Sequence, residues 1–584
     1  GVLLLAWAAI ALGSDHNHVY KAGDLVPLYA NKVGPFRNPS ETYRYYYLPF
    51  CSPGDIEEKK EALGEVLNGD RLVSAPYKLH FKQDVETKTV CKKKLTMKEG
   101  ALFRYAISKS YTFEMYFDDL PIWGFVGKIE GEGKTVPSEF RYYLFNHLHF
   151  DILYHDDRVI EVNARVNSDA AMDITQDMEM EIEFTYSAKW NQTSTTFDKR
   201  MEKYSRTASL PHRLEIRWFS IMNSCAIALL LTGFLSSILM RVLRNDFIRY
   251  THHDDELAED RDESETGWKY IHSDVFRYPR FKSLLAAAIG SGTQLFTLMV
   301  FIFILSLVGV FYPYNRGALF TALILIYALT SGVAGYTSAS FYRQLEGEFW
   351  IRNLLLTGGL FSGPLFIMFC YLNSVAIAYN STAALPFGTI MLIFLIWALV
   401  TLPLLGLGGV AGKNSSREFQ APCRTSKNPR DIPDLAFYQG ALPQMAMAGF
   451  LPFCAIYVEL HYVFASVWGH SIYTISSILF IVFIILIIVT AFVTVSLTYF
   501  QLVAEDYHWW WRAFLYGGST GAFIYVYCFY YYHSLSNMSG FMQASFFFGY
   551  MSAICYGFFL MLGMVGFRAA LVFVRHIYRA IKCE

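Results

Sequence analysis

Two ionisable residues inside an otherwise apolar run are the first candidates for chemistry. Glu459 and His461 follow the kinking prolines Pro443 and Pro452. A carboxyl and an imidazole there could bind a cation, pass a proton or hold a polar solute inside a membrane, where titratable groups are costly and serve function. Their place near the lumenal end of the run also fits a structural or interfacial role. Gly517-Gly518-Ser519-Thr520-Gly521 matches the pattern that presents a nucleophilic serine for acyl transfer. That chemistry requires a strand before the serine and a helix after it. Here the run simply enters an apolar helix, so we read it as packing. His16, His18, His252, His253, Asp254 and Asp255 are of metal-ligand type but sit beside chain ends or linkers. There is no intramembrane aspartate pair, phosphate-binding loop or HExxH. We assign no catalytic residue, no metal and no cofactor.

The elements that must position Glu459 and His461 are apolar segments. Hydrophobic residues make up 54% of the 584 positions and aromatic ones 17%. The apolar excess lies after residue 218, the mark of a polytopic membrane protein. With 49 basic against 50 acidic residues, the charge balance gives no reason to expect nucleic acid. Residues 219–240 form a stretch of 22 residues without a charge, enough to cross a hydrocarbon core roughly 30 Å thick. Further runs near 283–311, 318–340, 354–378, 386–410, 440–463, 474–500, 513–532 and 541–567 bring the expected spans to nine.

Basic residues orient them. Arg241, Arg244 and Arg249 follow the first span, and alternation from there gathers nearly all loop lysines and arginines on one side, leaving Arg316 alone in the opposite short loops. Lysine and arginine are retained on the cytosolic side, so residues 1–218 are expected to be lumenal and the C-terminus cytosolic. The sequons at Asn191, Asn380 and Asn537 then fall in the lumen as glycosylation sites, and Asn414 does not.

Residues 1–13 read as the remnant of a signal peptide. Residues 14–217 read as a lumenal, mainly β, sandwich-like domain. From 178 to 190, Met, Met, Ile, Phe, Tyr, Ala and Trp alternate with polar residues, the period of a half-buried antiparallel strand. Residues 111–117 and 148–154 repeat the alternation, and 55–69 look like a short helix with an Asp cap and a Gly stop. Cys51 and Cys91 are the two cysteines of this domain, and an oxidising lumen pairs them. The remaining division is 218–240 for the first transmembrane helix, 241–282 for a cytosolic acidic loop, 283–567 for an eight-helix transmembrane block and 568–584 for a cytosolic tail. The loop's acidic run at 254–265 reads as solvated and partly disordered.

Small residues recur within spans, among them Gly290, Gly292, Gly335, Gly358, Gly359, Gly363, Gly406, Gly409, Gly563 and Gly566. They allow close helix packing inside the bundle, or a lipid-facing groove for another protein's small-residue helix. Trp509 to Trp511 beside Arg512 read as an interfacial aromatic belt.

Seven segments, in order, resemble the transmembrane 9 superfamily, the nonaspanins. They are ETYRYYYLPFC at 41–51, DDLPIWGFVG at 118–127, GWKYIHSDVFR at 267–277, IGSG at 289–292, LPFG at 385–388, AEDYHWWW at 504–511 and the closing IKCE. The resemblance implies residence in Golgi and endosomal membranes and sorting of other membrane proteins, including clients with glycine-rich transmembrane segments. It also implies a Lys-x-acid tail signal read by the coatomer coat, which Lys582 and Glu584 match. The expected function is therefore a nonenzymatic escort whose partners are membrane-protein clients, coatomer and the lipid bilayer. The alternative is an endomembrane small-molecule transporter or channel using Glu459 and His461.

Overall fold

The computed structural model describes residues 18–131, 140–166, 171–201, 211–256, 267–311, 315–415, 418–419, 421–469 and 476–580. The expected signal remnant, most of the acidic run and the Lys582 to Glu584 signal lie outside them.

The N-terminal part is a β-domain. Its strands are β1 (Leu25–Val26), β2 (Leu28–Pro35), β3 (Tyr43–Arg44), β4 (Val73–Ser74), β5 (Leu79–His80), β6 (Val85–Leu95), β7 (Tyr111–Phe117), β8 (Leu120–Phe125), β9 (Gly127–Glu130), β10 (Arg141–Leu144), β11 (His147–His155), β12 (Arg158–Val166), β13 (Met172–Asp173) and β14 (Met180–Gln192). Two sheets carry the core, in the orders β3-β2-β7-β8 (with β4 also on β2) and β12-β11-β14-β6. The alternation in β14 does what its period requires. Ile182, Phe184, Tyr186, Ala188 and Trp190 turn inward with Leu148, Phe150 and Ile152 of β11, against Phe113, Met115 and Phe117 of β7. One expectation is corrected: β14 runs antiparallel to β6 but parallel to β11. Side-chain period fixes a face and carries nothing about the direction of the neighbour.

The helix expected over 55–69 is reduced to α1 (Leu63–Leu67). Upstream, Lys59 N–H donates to Leu72 O at 3.0 Å and Ser74 N–H to Glu57 O at 2.9 Å. This strand-like pairing takes the backbone groups a longer helix would need. Glu65 accepts the Ala62 N–H at 3.0 Å and so starts the helix that remains. The second helix of the domain is α2 (Met97–Ser108), capped by Thr96 and Glu99.

Nine long helices follow among the described residues: α3 (Pro211–Glu256), α4 (Lys282–Val308), α5 (Ala318–Gln344), α6 (Trp350–Ala378), α7 (Phe387–Ser415), α8 (Ala441–Val467), α9 (Ser476–Val503), α10 (Trp509–Tyr530) and α11 (Phe541–Arg579). Eight are long and apolar enough to cross a membrane. The ninth, α10, is 22 residues long, but its tyrosines, tryptophans and glycines lower its hydropathy. It is the most enclosed of these nine helices instead, with Ala513, Phe514, Gly517, Gly518, Thr520 and Gly521 all buried. A Cβ on Gly517 would lie 2.3 Å from Leu562 O of α11, so contact between these two helices requires a residue without one. The first span packs on the block: Ala228 of α3 meets Ala448 and Ala455 of α8 and Val489 and Val493 of α9. α7 is interrupted by a π-helical turn at Trp397–Thr401. Beyond that turn it packs closely along α5, whereas its first segment, Phe387–Ile396, buries no residue.

Candidate functional site

Glu459 and His461 do not form a pair. Residues two apart on a helix point to different sides. Glu459 is 1% exposed on the face that carries Ala448, Pro452 and Ala455. Water does not reach it from the helix end as the sequence position implies. His461 is partly buried and turns towards α10, where Tyr527 Oη lies 3.4 Å from its Nδ1 and Tyr531 flanks the ring. Ser519 sits mid-helix and donates to Tyr516 O at 2.7 Å. No strand precedes it, and its glycine neighbours serve contacts with α11.

The most developed polar constellation is one that motif reading missed, where the β-domain meets the helix block. Arg316, in the turn before α5, sends Nη2 to Glu65 Oε1 at 2.6 Å and Nε to the same oxygen at 3.1 Å. Its Nε is also 3.6 Å from Asp70 Oδ2, and its guanidinium stacks 4.2 Å over the Tyr116 ring. Asp70 is fully buried and receives Lys32 Nζ at 3.2 Å and Asn31 Nδ2 at 3.0 Å. Lys32 is also 3.6 Å from Glu114. Burial alone would raise the Asp70 pKa, but Lys32 and Arg316 outweigh it and hold the carboxyl below the usual aspartate value. Burial would likewise lower Arg316, and Tyr116, Glu65 and Asp70 together hold it above its ordinary value. Asp70 and Arg316 therefore both favour their charged forms.

Close backbone approach and hydrogen bonds complete this junction. A Cβ on Gly64 would lie 1.8 Å from Gly317 O, and Gly317 has φ +69°. Only glycine at both positions lets α1 lie on the start of α5. Ser381 Oγ donates to Thr42 O at 2.8 Å, Arg71 Nη2 to Ala384 O at 2.8 Å and Asn38 Nδ2 to Ser539 O at 2.9 Å. Three inter-helix turns thus hold one domain. The signal in the sequence was Arg316 itself, the lone basic residue among the short loops expected on its side.

At the other end of the block, two of the quoted segments meet. Glu505 accepts the Gly267 N–H at 2.9 Å, Trp509 Nε1 donates to Val275 O at 2.9 Å and Trp511 Nε1 to Arg280 O at 2.8 Å. Tyr578, near the end of α11, donates to Trp268 O at 2.6 Å. Asp274 is fully buried, bound by Arg277 Nη2 at 2.5 Å and Ser426 Oγ at 3.1 Å. The expected aromatic belt is therefore corrected. Trp509 and Trp510 are 0% and 2% exposed, and the Trp509 and Trp511 indoles fasten the 267–280 loop to the bundle. Next to them, Asp506 takes Arg512 Nη1 at 2.8 Å and Gln501 Nε2 at 3.2 Å. Gln501 and Gln444 both accept from Tyr516 Oη.

Cys51 and Cys91 are joined by a disulfide, with Cα atoms 6.1 Å apart. Asn191, Asn380 and Asn537 are exposed, as is Asn414. His18 Nδ1 is 2.7 Å from Asp118 Oδ1. His16 is outside the described residues, as are the side chains of His252, His253, Asp254 and Asp255.

The Endomembrane protein 70 family matches residues 42–541. Transmembrane 9 superfamily member 3 of Arabidopsis thaliana is 68% identical over 584 residues, covering 100% of this chain and 98% of that protein. Member 1 of Bos taurus is 46% identical over 573 residues, 97% of this chain and 94% of its own. No solved structure matches. These names describe membrane proteins and state no catalytic activity. With agreement along nearly its whole length, a β-rich N-terminal domain and eight helices that qualify as spans, this chain belongs to the transmembrane 9 superfamily, a family of polytopic membrane proteins.

Proposed function

We propose that this protein is a nonenzymatic sorting or escort protein of Golgi and endosomal membranes. The β-domain faces the lumen, the helix block receives transmembrane segments of client proteins, and Lys582 and Glu584 recruit coatomer for retrieval. One observation carries the client reading. Most small residues of the block are used in its own packing, as with Gly335, where a Cβ would lie 2.1 Å from Leu405 O. Gly359 and Gly363 of α6 are not: a Cβ at either would meet nothing within 4 Å. Four residues apart, they share one helix face, a shallow strip onto which a second small-residue helix can pack closely.

The test uses a single-pass reporter with a glycine-rich span and a control with a leucine span, in cells with and without this chain. Escort predicts that the surface level of the glycine reporter alone changes, and that Gly359→Leu with Gly363→Leu removes the effect. If both reporters behave alike, the reading fails. Lys582→Ala with Glu584→Ala is expected to abolish coatomer capture and Golgi retention.

The burial of Glu459 favours a second reading, an endomembrane transporter or channel. It predicts a solute flux in proteoliposomes that Glu459→Ala abolishes while trafficking stays normal.

A further inference from the structure

The segment DDLPIWGFVG at 118–127 has no part in the function proposed above, yet it carries the most conspicuous exposed aromatic residue of the β-domain. Trp123 on β8 is 60% exposed. It is not isolated, since its ring lies 6.5 Å from Phe36, nearly parallel to it, and 6.1 Å from Phe125. Phe36 and Phe125 are themselves 5.4 Å apart. Three aromatic rings thus form one patch at the edge of the sheet. A lone exposed apolar side chain is unremarkable, but an exposed indole continued by the partly exposed rings of Phe36 and Phe125 forms a contiguous apolar patch of the kind that marks an interaction surface.

Strand register says which way this patch faces. Trp123 pairs with Glu114 across the β7–β8 ladder, and Pro121 pairs with Tyr116. Directly opposed residues project from the same side of a sheet. Tyr116 is 9% exposed under Arg316, and Glu114 lies 3.6 Å from Lys32 in the same charge cluster. The side of the sheet that carries Trp123 is therefore the side docked on the helix block. Exposure grows along it, from Tyr116 to Glu114 at 27% to Trp123 at 60%.

At the other margin of the patch, two residues after Phe36, Asn38 accepts the Ser539 N–H at 3.0 Å, and Ser40 N–H donates to Gln543 Oε1 at 3.0 Å. Ser539 and Gln543 bracket the start of α11, a 39-residue helix that qualifies as a membrane span. Its first residue, Phe541, is 61% exposed. The rings thus lie close to the end of a spanning helix, on the docked face of the sheet, where Trp123 stays exposed.

We infer that the Phe36, Trp123 and Phe125 cluster is a lipid contact, resting in the headgroup region of the bilayer leaflet on the side of the β-domain. Indole and phenyl rings favour this depth, because an apolar face meets acyl chains while the indole N–H remains hydrated. The β-domain is then held by the Arg316 junction, by Asn38 at α11 and by lipid beside them, which restricts its tilt on the membrane.

The test uses the full chain in phosphatidylcholine nanodiscs, with an environment-sensitive fluorophore on Arg37→Cys, an exposed neighbour of the patch. The control label is on Lys189→Cys, exposed on the outer side of the other sheet. The unsubstituted chain measures labelling of native thiols. A nitroxide carried on the lipid headgroup is expected to quench the label at 37 several-fold more than the label at 189. Adding Trp123→Ser, at a site too exposed to disturb the core, is expected to remove most of that difference. Equal quenching at the two positions overturns the inference, and so does quenching at 37 that Trp123→Ser leaves unchanged. A label at 37 shielded from both lipid nitroxide and aqueous iodide also overturns it, assigning the patch to a second protein or a second copy.

Discussion

Arg316→Ala tests whether the charge cluster holds the β-domain on the helix block. The substitution removes both contacts to Glu65, the approach to Asp70 and the stack on Tyr116. Breaking a buried ion pair from one side costs about 3–5 kcal/mol, because the abandoned charge stays buried. Here the loss is partly offset, since Asp70 keeps Lys32 at 3.2 Å. With Arg316 only 16% exposed, solvent screening reduces the effect little. Because Lys32 still pairs with Asp70, we expect about 2–3 kcal/mol, at or just below the lower bound of that range, or roughly 30- to 150-fold in the ratio of docked to undocked domain. Hydrogen exchange of the chain in nanodiscs reads this directly. Amides of Leu63–Leu67 and of β4 should exchange faster by that factor, while β11 and β14, in the opposite sheet, keep wild-type protection. A cycle with Glu65→Gln should show strong coupling between the two positions. If exchange in α1 changes by less than about threefold, under 0.7 kcal/mol, then backbone contacts alone hold the junction and the electrostatic account is wrong.

Gly64→Ala should be as damaging as the charge change although it adds one carbon, because that carbon would fall 1.8 Å from Gly317 O. Overpacking of this kind costs about 1–3 kcal/mol, seen as a lower Tm of the purified chain, whereas Gly54→Ala, in open space, should leave Tm unchanged. The β-domain should weaken on acidification through His147, whose two ring nitrogens contact Thr185 and Ser187. Burial, and then the neighbouring His149, lower its pKa below the usual histidine value. The unfolded chain therefore takes up the proton first, so this contribution is complete above about pH 6.5 and is lost as pH falls below it. Urea titrations of the chain between pH 7.5 and 5 should show that slope, and His147→Gln should flatten it. Trp509→Phe keeps the ring but loses the bond to Val275 O. It should cost about 1 kcal/mol and raise hydrogen exchange across 267–277, with no change at α1.

Much of this architecture was legible along the chain because it depends on local quantities. A run of 22 uncharged residues must cross or be buried whatever surrounds it, and alternation in 178–190 sets an inward face before any partner is known. The eight apolar spans and the strands at 111–117 and 148–154 follow from such patterns. What the chain could not carry was pairing. The parallel β11–β14 ladder, the backbone bonds at 57–59 that shorten α1, and the packing of α3 on α8 and α9 all depend on which distant segment supplies the complementary surface.

The functional sites divide in the same way. Glu459 and His461 stood out by type in an apolar run, yet a spacing of two on a helix turns them to different sides, and packing buries only the first completely. Arg316 stood out as an exception of charge. Glu65, Asp70, Lys32 and Glu114 look like ordinary charged residues of a polar domain, and only the fold brings them together and sets Arg316 of the helix block against them. Trp509 shows the reverse: its composition resembles a membrane-surface belt, and the fold uses it as a fastening for a loop more than 200 residues earlier. Patterns along the chain were enough to place the eight apolar spans, the inward face of the strands and the family. Tertiary structure alone decided which charges lose their water and which aromatic rings remain uncovered, because desolvation belongs to surfaces brought together from distant parts of the chain.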